Sequence, residues 1–249
     1  MMAVDKMHTK EELRKRIWNY MEQHNIARFP RPVHNRIPNF AGSEKAAERL
    51  KDYDKWLDSK VIKVNPDSAQ QPVREMALKV GKLLYMAVPR LREEKCFIEV
   101  RGDVSNPKHA STIKGAFRYG RNVAVNEMKK VDMVIAGCVA VNIDGSRLGK
   151  GGGYSDLEYG LARAFHLIDD STPVVTTVHP CQIIEETIPR QVHDEVLDII
   201  VTPRELTSAT MKLPKPTGIY WDVISPEKID SIPVLRKLYE RHLREEKSI

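Results

Sequence analysis

Asp144-Gly-Ser-Arg147-Leu-Gly149-Lys150-Gly151-Gly152-Gly153-Tyr154-Ser155-Asp156 holds four of the protein's 13 glycines between positions 149 and 153. Lys150 sits among them, and Arg147 stands two residues ahead of the first. An apolar run precedes the stretch and predicts a strand over Asp132 to Val141. Behind it, Leu157, Leu161, Ala164, Phe165 and Ile168 recur at helical spacing. The predicted order is strand, glycine loop, helix. Glycines let backbone N–H groups turn inward as an anion-binding nest, and a helix N-terminus adds its positive dipole. Arg147 and Lys150 add full charges for phosphate oxygens. Asp156 falls in the first helical turn, where a carboxylate can hold Mg²⁺ on the same phosphates.

Familiar phosphate loops do not account for this spacing. Walker A needs a longer interval and a Ser or Thr after its lysine, whereas Gly145 and Gly149 enclose three residues and Gly151 follows Lys150. The dinucleotide G-x-G-x-x-G fails because Tyr154 occupies its last glycine position. A bare glycine run reads equally well as a flexible turn with solvated cations. Arg147, Lys150 and Asp156 at these intervals tip the reading toward a phosphate site.

With 249 residues, 41% of them hydrophobic and 30% charged, the chain suits one substantial core with appendages. No apolar stretch approaches the roughly 18 residues of a membrane span. Met1 to Lys10 lacks the apolar centre of a secretory signal. Cys96, Cys138 and Cys181 are far apart, which argues against a disulfide framework or zinc site and predicts a reducing, cytoplasmic setting. The net charge of +6 concentrates between Arg101 and Lys130, where seven Lys/Arg face only Asp103 and Glu127. Such an excess attracts polyanions in general. Without RNP aromatics or a metal finger beside it, specific nucleic-acid binding is not expected.

Thr9 and Glu12 stand in capping-box relation, predicting a helix whose apolar face is Leu13, Ile17 and Met21, with Trp18 alongside. Lys10 and Arg14 lie one turn apart on it, a repulsion of a few tenths of a kcal/mol unless an anion sits between them. Phe29 to Phe40 carries Pro30, Pro32 and Pro38, so it is neither helix nor interior strand but an extended segment across a surface. Ser43 to Leu57 predicts a helix. From Lys60 the pattern alternates: strands at Val61–Val64, Leu83–Val88, Cys96–Val100, Val174–Val178 and Leu197–Val201, with a helix over Gln71 to Lys82. Pro107 to Lys130 is ambiguous. The fold class is α/β, a three-layer arrangement of a mostly parallel sheet with helices on both faces. Pro233 to Lys247 predicts a closing helix with Leu235, Leu238, Tyr239 and Leu243 apolar, which either docks on the body or meets a second copy. One domain is expected: a helical N-terminal extension over about 1–59, a core over about 60–205, and a C-terminal extension over about 206–249.

The glycine loop resembles the signature Arg-Leu-Gly-x-Gly-x-Gly-Tyr-Tyr-Asp of the 5-formyltetrahydrofolate cyclo-ligase family, the methenyltetrahydrofolate synthetases. Arg147-Leu-Gly-Lys-Gly-Gly-Gly-Tyr154-Ser155-Asp156 meets nine of its ten positions. Lys10-Glu-Glu-Leu13-Arg14 is similar to the family's opening Lys-x-x-Leu-Arg helix, and Asp194 with Asp198 resembles its later pair of aspartates. Phe29 to Phe40, Asp156-Leu-Glu-Tyr159 and Lys215-Pro-Thr-Gly218 look like the subgroup of methenyltetrahydrofolate synthetase domain-containing proteins.

The resemblance implies a ligase of folate and one-carbon metabolism that uses ATP and Mg²⁺ to close 5-formyltetrahydrofolate, or a related pterin, to 5,10-methenyltetrahydrofolate. It implies that Arg147, Lys150 and Lys10 are catalytic. It implies nucleotide contacts from Lys10, Arg14, Arg147, Gly149, Lys150, Gly151, Gly152, Gly153, Tyr154 and Ser155, with Asp156 and Asp194 on the metal. Two departures stand out: Ser155 replaces the second tyrosine, removing an aromatic wall, and no Glu-x-x-Thr follows Val64. The folate side therefore matches less well than the nucleotide side. On chemistry alone, Phe29, His34 or Phe40 could stack on a ring, and Arg31 or Arg36 could meet a glutamate tail. Two other readings of the same residues are a non-catalytic ATP-binding or RNA-associated module and a phosphoryl transfer to another small amide. The oligomeric state is left open.

Overall fold

A computed structural model describes residues 8–246. Its strands are β1 (Val61–Val64), β2 (Leu83–Ala87), β3 (Phe97–Val100), β4 (Arg121–Val123), β5 (Met133–Ile135), β6 (Ala140–Asn142), β7 (Arg147–Leu148), β8 (Val174–Thr177), β9 (Ile183–Ile184), β10 (Ile199–Val201) and β11 (Leu206–Ser208). The helices are α1 (Lys10–Gln23), α2 (Ser43–Arg49), α3 (Asp54–Asp58), α4 (Gln71–Lys79), α5 (Pro107–Ala110), α6 (Ile113–Tyr119), α7 (Tyr154–Ala164), α8 (Pro226–Ser231) and α9 (Pro233–Glu246). Eight strands form one sheet in the order β11-β10-β8-β5-β1-β2-β3-β4. The middle of it, β10-β8-β5-β1-β2, is parallel, and the flanking strands are antiparallel. The mostly parallel α/β expectation holds.

Alternation along the strands sorts residues onto two covered faces. Ile62, Val64, Leu84, Met86, Met133, Ile135, Val175, Ile199 and Val201 pack with Val73 and Ala77 of α4. Tyr85, Ala87, Val134, Val174 and Ile200 point the other way, toward Leu157 and Leu161 of α7. A third cluster joins Leu13, Ile17, Trp18 and Met21 of α1 to Val33, Ile37, Phe40 and Leu148. Burying an aliphatic side chain is worth about 1.5–3 kcal/mol, so this face outweighs any repulsion between Lys10 and Arg14. The Thr9 capping box forms as the sequence requires.

Several predicted boundaries change. The strand expected over Asp132 to Val141 is two strands: β5 ends at Ile135, and β6 belongs to a separate small sheet, β7-β6-β9. Gly137 marks the break, since a Cβ there would sit 2.7 Å from Gln70 Oε1. The glycine loop therefore leaves β7, not the central sheet. The helix expected from Ser43 to Leu57 is interrupted by a 3₁₀ turn and by Tyr53, which is extended. The one expected to reach Lys82 stops at Lys79, where Gly81 turns left-handed at φ +79°. Phe29–Phe40 is irregular as its prolines demand, yet it buries Val33, Ile37 and Phe40 instead of only crossing a surface. On α9, Leu235 is buried whereas Leu243 stays exposed, and Lys247 lies outside the described residues, as do residues 1–7.

Candidate functional site

β1 and β5 are parallel neighbours, but the chain leaves β1 for β2 on one side and β5 for β8 on the other. Such a switch point opens a crevice beyond the strands' carboxyl ends. Here it opens into a cleft of about 770 Å³, within the range for small-molecule sites. Asn65 and Asp67 after β1, Gly137 after β5, the whole glycine loop, Lys10 and Arg14 of α1, and Asp194 line it. Segments distant in sequence thus meet at one place.

The loop's carbonyls are tied down by cations. Arg14 Nε donates to Gly149 O at 2.8 Å, and Lys228 Nζ donates to Gly152 O at 2.7 Å. Gly151 and Gly153 have φ of +102° and +65°, conformations that cost little only without a Cβ. From Lys150 to Asp156 the backbone amides donate to no other backbone group among the described residues. Those of Tyr154, Ser155 and Asp156 are the open first turn of α7, an arrangement that favours an anion. Lys10 Nζ lies 2.6 Å from Asp194 Oδ2, and Lys150 Nζ lies 2.8 Å from Asp67 Oδ1. Each lysine is thus paired with a carboxylate on the wall of the cleft.

Beneath the loop runs a buried polar chain. Arg147 is 6% exposed; it donates to Asp156 Oδ1 at 2.6 Å and to Gly137 O at 2.9 Å, and Glu195 Oε2 lies 3.4 Å away. Ser155 donates to Glu195 Oε2 at 2.7 Å and accepts from Asn65 at 2.9 Å. Asn65 in turn accepts from Lys63 Nζ, which is 2.5 Å from Glu158 Oε2. Burial pushes the Asp156 carboxyl upward, but the Arg147 charge and the Glu195 N–H outweigh it and hold the group below its usual range. Burial dominates at Glu195 and raises its carboxyl despite Arg147 and Lys63. Arg74, 1% exposed, fixes the loop after β1 by donating to the carbonyls of Asn65, Asp67 and Ser111, and burial lowers its guanidinium to about 10.

Every residue expected to contact the nucleotide or the metal lines this cleft. Arg147 lines it with its two terminal nitrogens donating to protein acceptors and its Nε without a partner among the described residues. Asp156 and Asp194 also have partners, and among the described residues no three His, Cys, Asp or Glu side chains group as a metal cage. Of the Phe29–Phe40 residues named for a ring or tail, only Arg36 lines the cleft. Phe40 is buried, Arg31 pairs with Glu22, His34 bonds to Asn19, and Phe29 is 85% exposed.

The residues missed from sequence are Lys63, Asn65, Asp67, Glu158, Glu195 and Lys228. Lys63 had a signal, a cation inside an apolar strand. A model of the 5-formyltetrahydrofolate cyclo-ligase family matches residues 6–203.

The chain belongs to that family.

It is 40% identical over 248 residues to a methenyltetrahydrofolate synthase domain-containing protein of Mus musculus, and 39% identical over 248 residues to one of Homo sapiens, with 97% of this chain covered in each case. It spans 66% and 64% of those relatives' lengths. The fold is similar to the NMR structure of Aquifex aeolicus 5,10-methenyltetrahydrofolate synthetase, with TM-score 0.50 and 22% identity over 81% of this chain and 93% of that one. Among the described residues no helix is long and apolar enough to cross a membrane.

Proposed function

We propose that the protein is an ATP- and Mg²⁺-dependent cyclo-ligase acting on 5-formyltetrahydrofolate or a related formylated pterin, in the cytoplasm that its three free cysteines suit. The observation that carries the reading is the row of open amides from Lys150 to Asp156, in a loop that lines one cleft with Lys10 and Arg14. In this family's reaction the formyl oxygen bonds to the γ-phosphorus as the bond to ADP breaks. N10 then attacks the activated carbon, and phosphate departs with the former formyl oxygen. Phosphoryl transfer asks the protein chiefly for positioning and charge. Lys10, Arg14, Lys150, the loop amides and the flanking Tyr154 and Ser155 bind and align the triphosphate. Arg147 acts beneath them by holding Asp156 and Glu195 in place.

Asp156 and Asp194 are the carboxylates that would hold Mg²⁺. Two carboxylates plus phosphate oxygens and water are a usual Mg²⁺ environment, so the donors fit a metal that arrives with the nucleotide. When bound, it neutralises charge on the transferred phosphoryl group. Steady-state release of ADP and phosphate, measured with formylated folates and pterins as a panel, tests the proposal. The expected result is nucleotide turnover that depends on one formylated acceptor. Nucleotide binding without turnover on any acceptor would make this a binding module instead.

A further inference from the structure

The family match ends at residue 203, yet a cation from beyond it reaches the glycine loop. Lys228, on the short helix α8, is half-buried. Its ammonium donates to Gly152 O and lies 4.7 Å from the centroid of the Tyr154 ring. It sits 3.1 Å from where a Cβ on Gly153 would be, so it stands at the N-terminus of α7 itself. The segment that carries it is docked, not trailing. Gly218 O comes within 2.8 Å of a Cβ built on Gly160 of α7, Tyr220 faces His193, and Ile229 and Ile232 are buried.

Lys228 differs from the other cations of the cleft in what already holds it. Lys10 has Asp194, Lys150 has Asp67, Arg147 has Asp156 and Glu195, and Arg14 has Glu11 at 3.4 Å. Among the described residues Lys228 has no carboxylate at ion-pair distance, only a carbonyl oxygen and an aromatic face. A neutral carbonyl is a weaker partner than phosphate oxygen, because it offers the ammonium only a dipole where phosphate offers a full negative charge. Exchange at Lys228 therefore separates no ion pair, unlike exchange at Lys10 or Lys150.

We infer that Lys228 is a ligand-binding residue: it leaves Gly152 O for a phosphate oxygen of the bound nucleotide, so that the C-terminal segment completes the phosphate site. This rests on the ATP-dependent reading above and adds a contact from outside the family-matched region. Lys228→Met keeps the apolar stem over Tyr154 and removes the charge, and Lys228→Arg restores a charge. The probes are ATP with Mg²⁺, adenosine, and inorganic tripolyphosphate, titrated calorimetrically on the full chain, with melting temperature recorded for each variant without ligand. Lys228→Met is expected to weaken ATP and tripolyphosphate by on the order of tenfold or more, the loss of one charge-assisted contact. Adenosine affinity and ligand-free melting temperature should stay near wild type, and Lys228→Arg should recover most of the loss. Unchanged ATP affinity in Lys228→Met would overturn the inference. So would a loss accompanied by a lower ligand-free melting temperature and not rescued by Arg, which would make Lys228 a structural prop. If wild-type protein binds neither ATP nor tripolyphosphate, the nucleotide reading itself fails.

Discussion

Arg147→Met separates the two roles open to this residue. In the structure its guanidinium is enclosed with Asp156 Oδ1 at 2.6 Å and Glu195 Oε2 at 3.4 Å, and Glu195 is 0% exposed. Removing one partner of a buried ion pair costs about 3–5 kcal/mol, since the remaining charges lose their compensation. For a chain of this size each kcal/mol moves the melting temperature by about 2–4 °C, so the expected fall is roughly 6–20 °C. The sign of its pH dependence follows from linkage. Without the cation both carboxyls rise above their unfolded values, so the native state binds protons that the unfolded chain does not. Stability of the variant then falls as pH rises through that window. The deficit against wild type should be large near pH 8 and shrink toward about pH 5, followed by thermal and urea unfolding across that range. A variant with wild-type stability at every pH, but no stabilisation by ATP, would refute this reasoning and return Arg147 to direct phosphate contact.

Millimolar ATP with Mg²⁺ should raise the wild-type melting temperature, by about 2.7 kcal/mol of linkage at a hundredfold excess over Kd, and Lys150→Ala should reduce that gain in differential scanning calorimetry. Ser155→Tyr, which restores the family's aromatic, should lower stability and turnover together, because it removes the hydroxyl shared by Asn65 and Glu195; improved folate KM would contradict this. Gly160→Ala should cost about 1–3 kcal/mol in urea unfolding, since its Cβ meets the Gly218 carbonyl at 2.8 Å. Asp156 is held below its usual value of 3.8, so its stabilisation is present above that pH and lost as pH falls further; Asp156→Asn should flatten the acid limb of an unfolding profile.

The strands of the central sheet were legible because they are buried on both faces and read as short β-branched runs. Val61–Val64 and Val174–Thr177 fall where the sequence places them. The division of Asp132–Val141 was not legible, because β5 and β6 are equally apolar and only Gly137 interrupts them. At the site, the glycine loop was readable from residue types and spacing, whereas Lys10, Arg14 and Asp194 entered through the family resemblance. Whether a cation meets ligand or protein depends on burial, which no spacing encodes, so the protein acceptors that hold Arg147 could not be read from the sequence. Lys228 left no signal at all: it stands 76 positions from Gly152, in a segment whose composition resembles any charged helix. Asp67 is an intermediate case. It follows a strand, as a site residue should, but only the buried Arg74 beneath it shows why the loop turns it inward.

The polar chain under the cleft bears on why Ser155 stands where a tyrosine is expected. Lys63 and Arg147 face three carboxyls, those of Glu158, Glu195 and Asp156. His193 and Lys228 also act on Asp156 from the cleft side, and Glu195 is the deepest of the three carboxyls and the one for which burial is most costly. Burial raises the Glu195 carboxyl, and its Oε1 has no hydrogen-bond partner among the described residues. The other oxygen accepts from Ser155 at 2.7 Å, a donor short enough to reach it. A phenol placed on the same backbone would carry its hydroxyl too far out to do so, and would separate Asn65 from Glu195. The serine therefore belongs with Lys63, Asn65 and Glu195 as one arrangement, in which the loop after β1 and the start of α7 are locked together through a single hydroxyl.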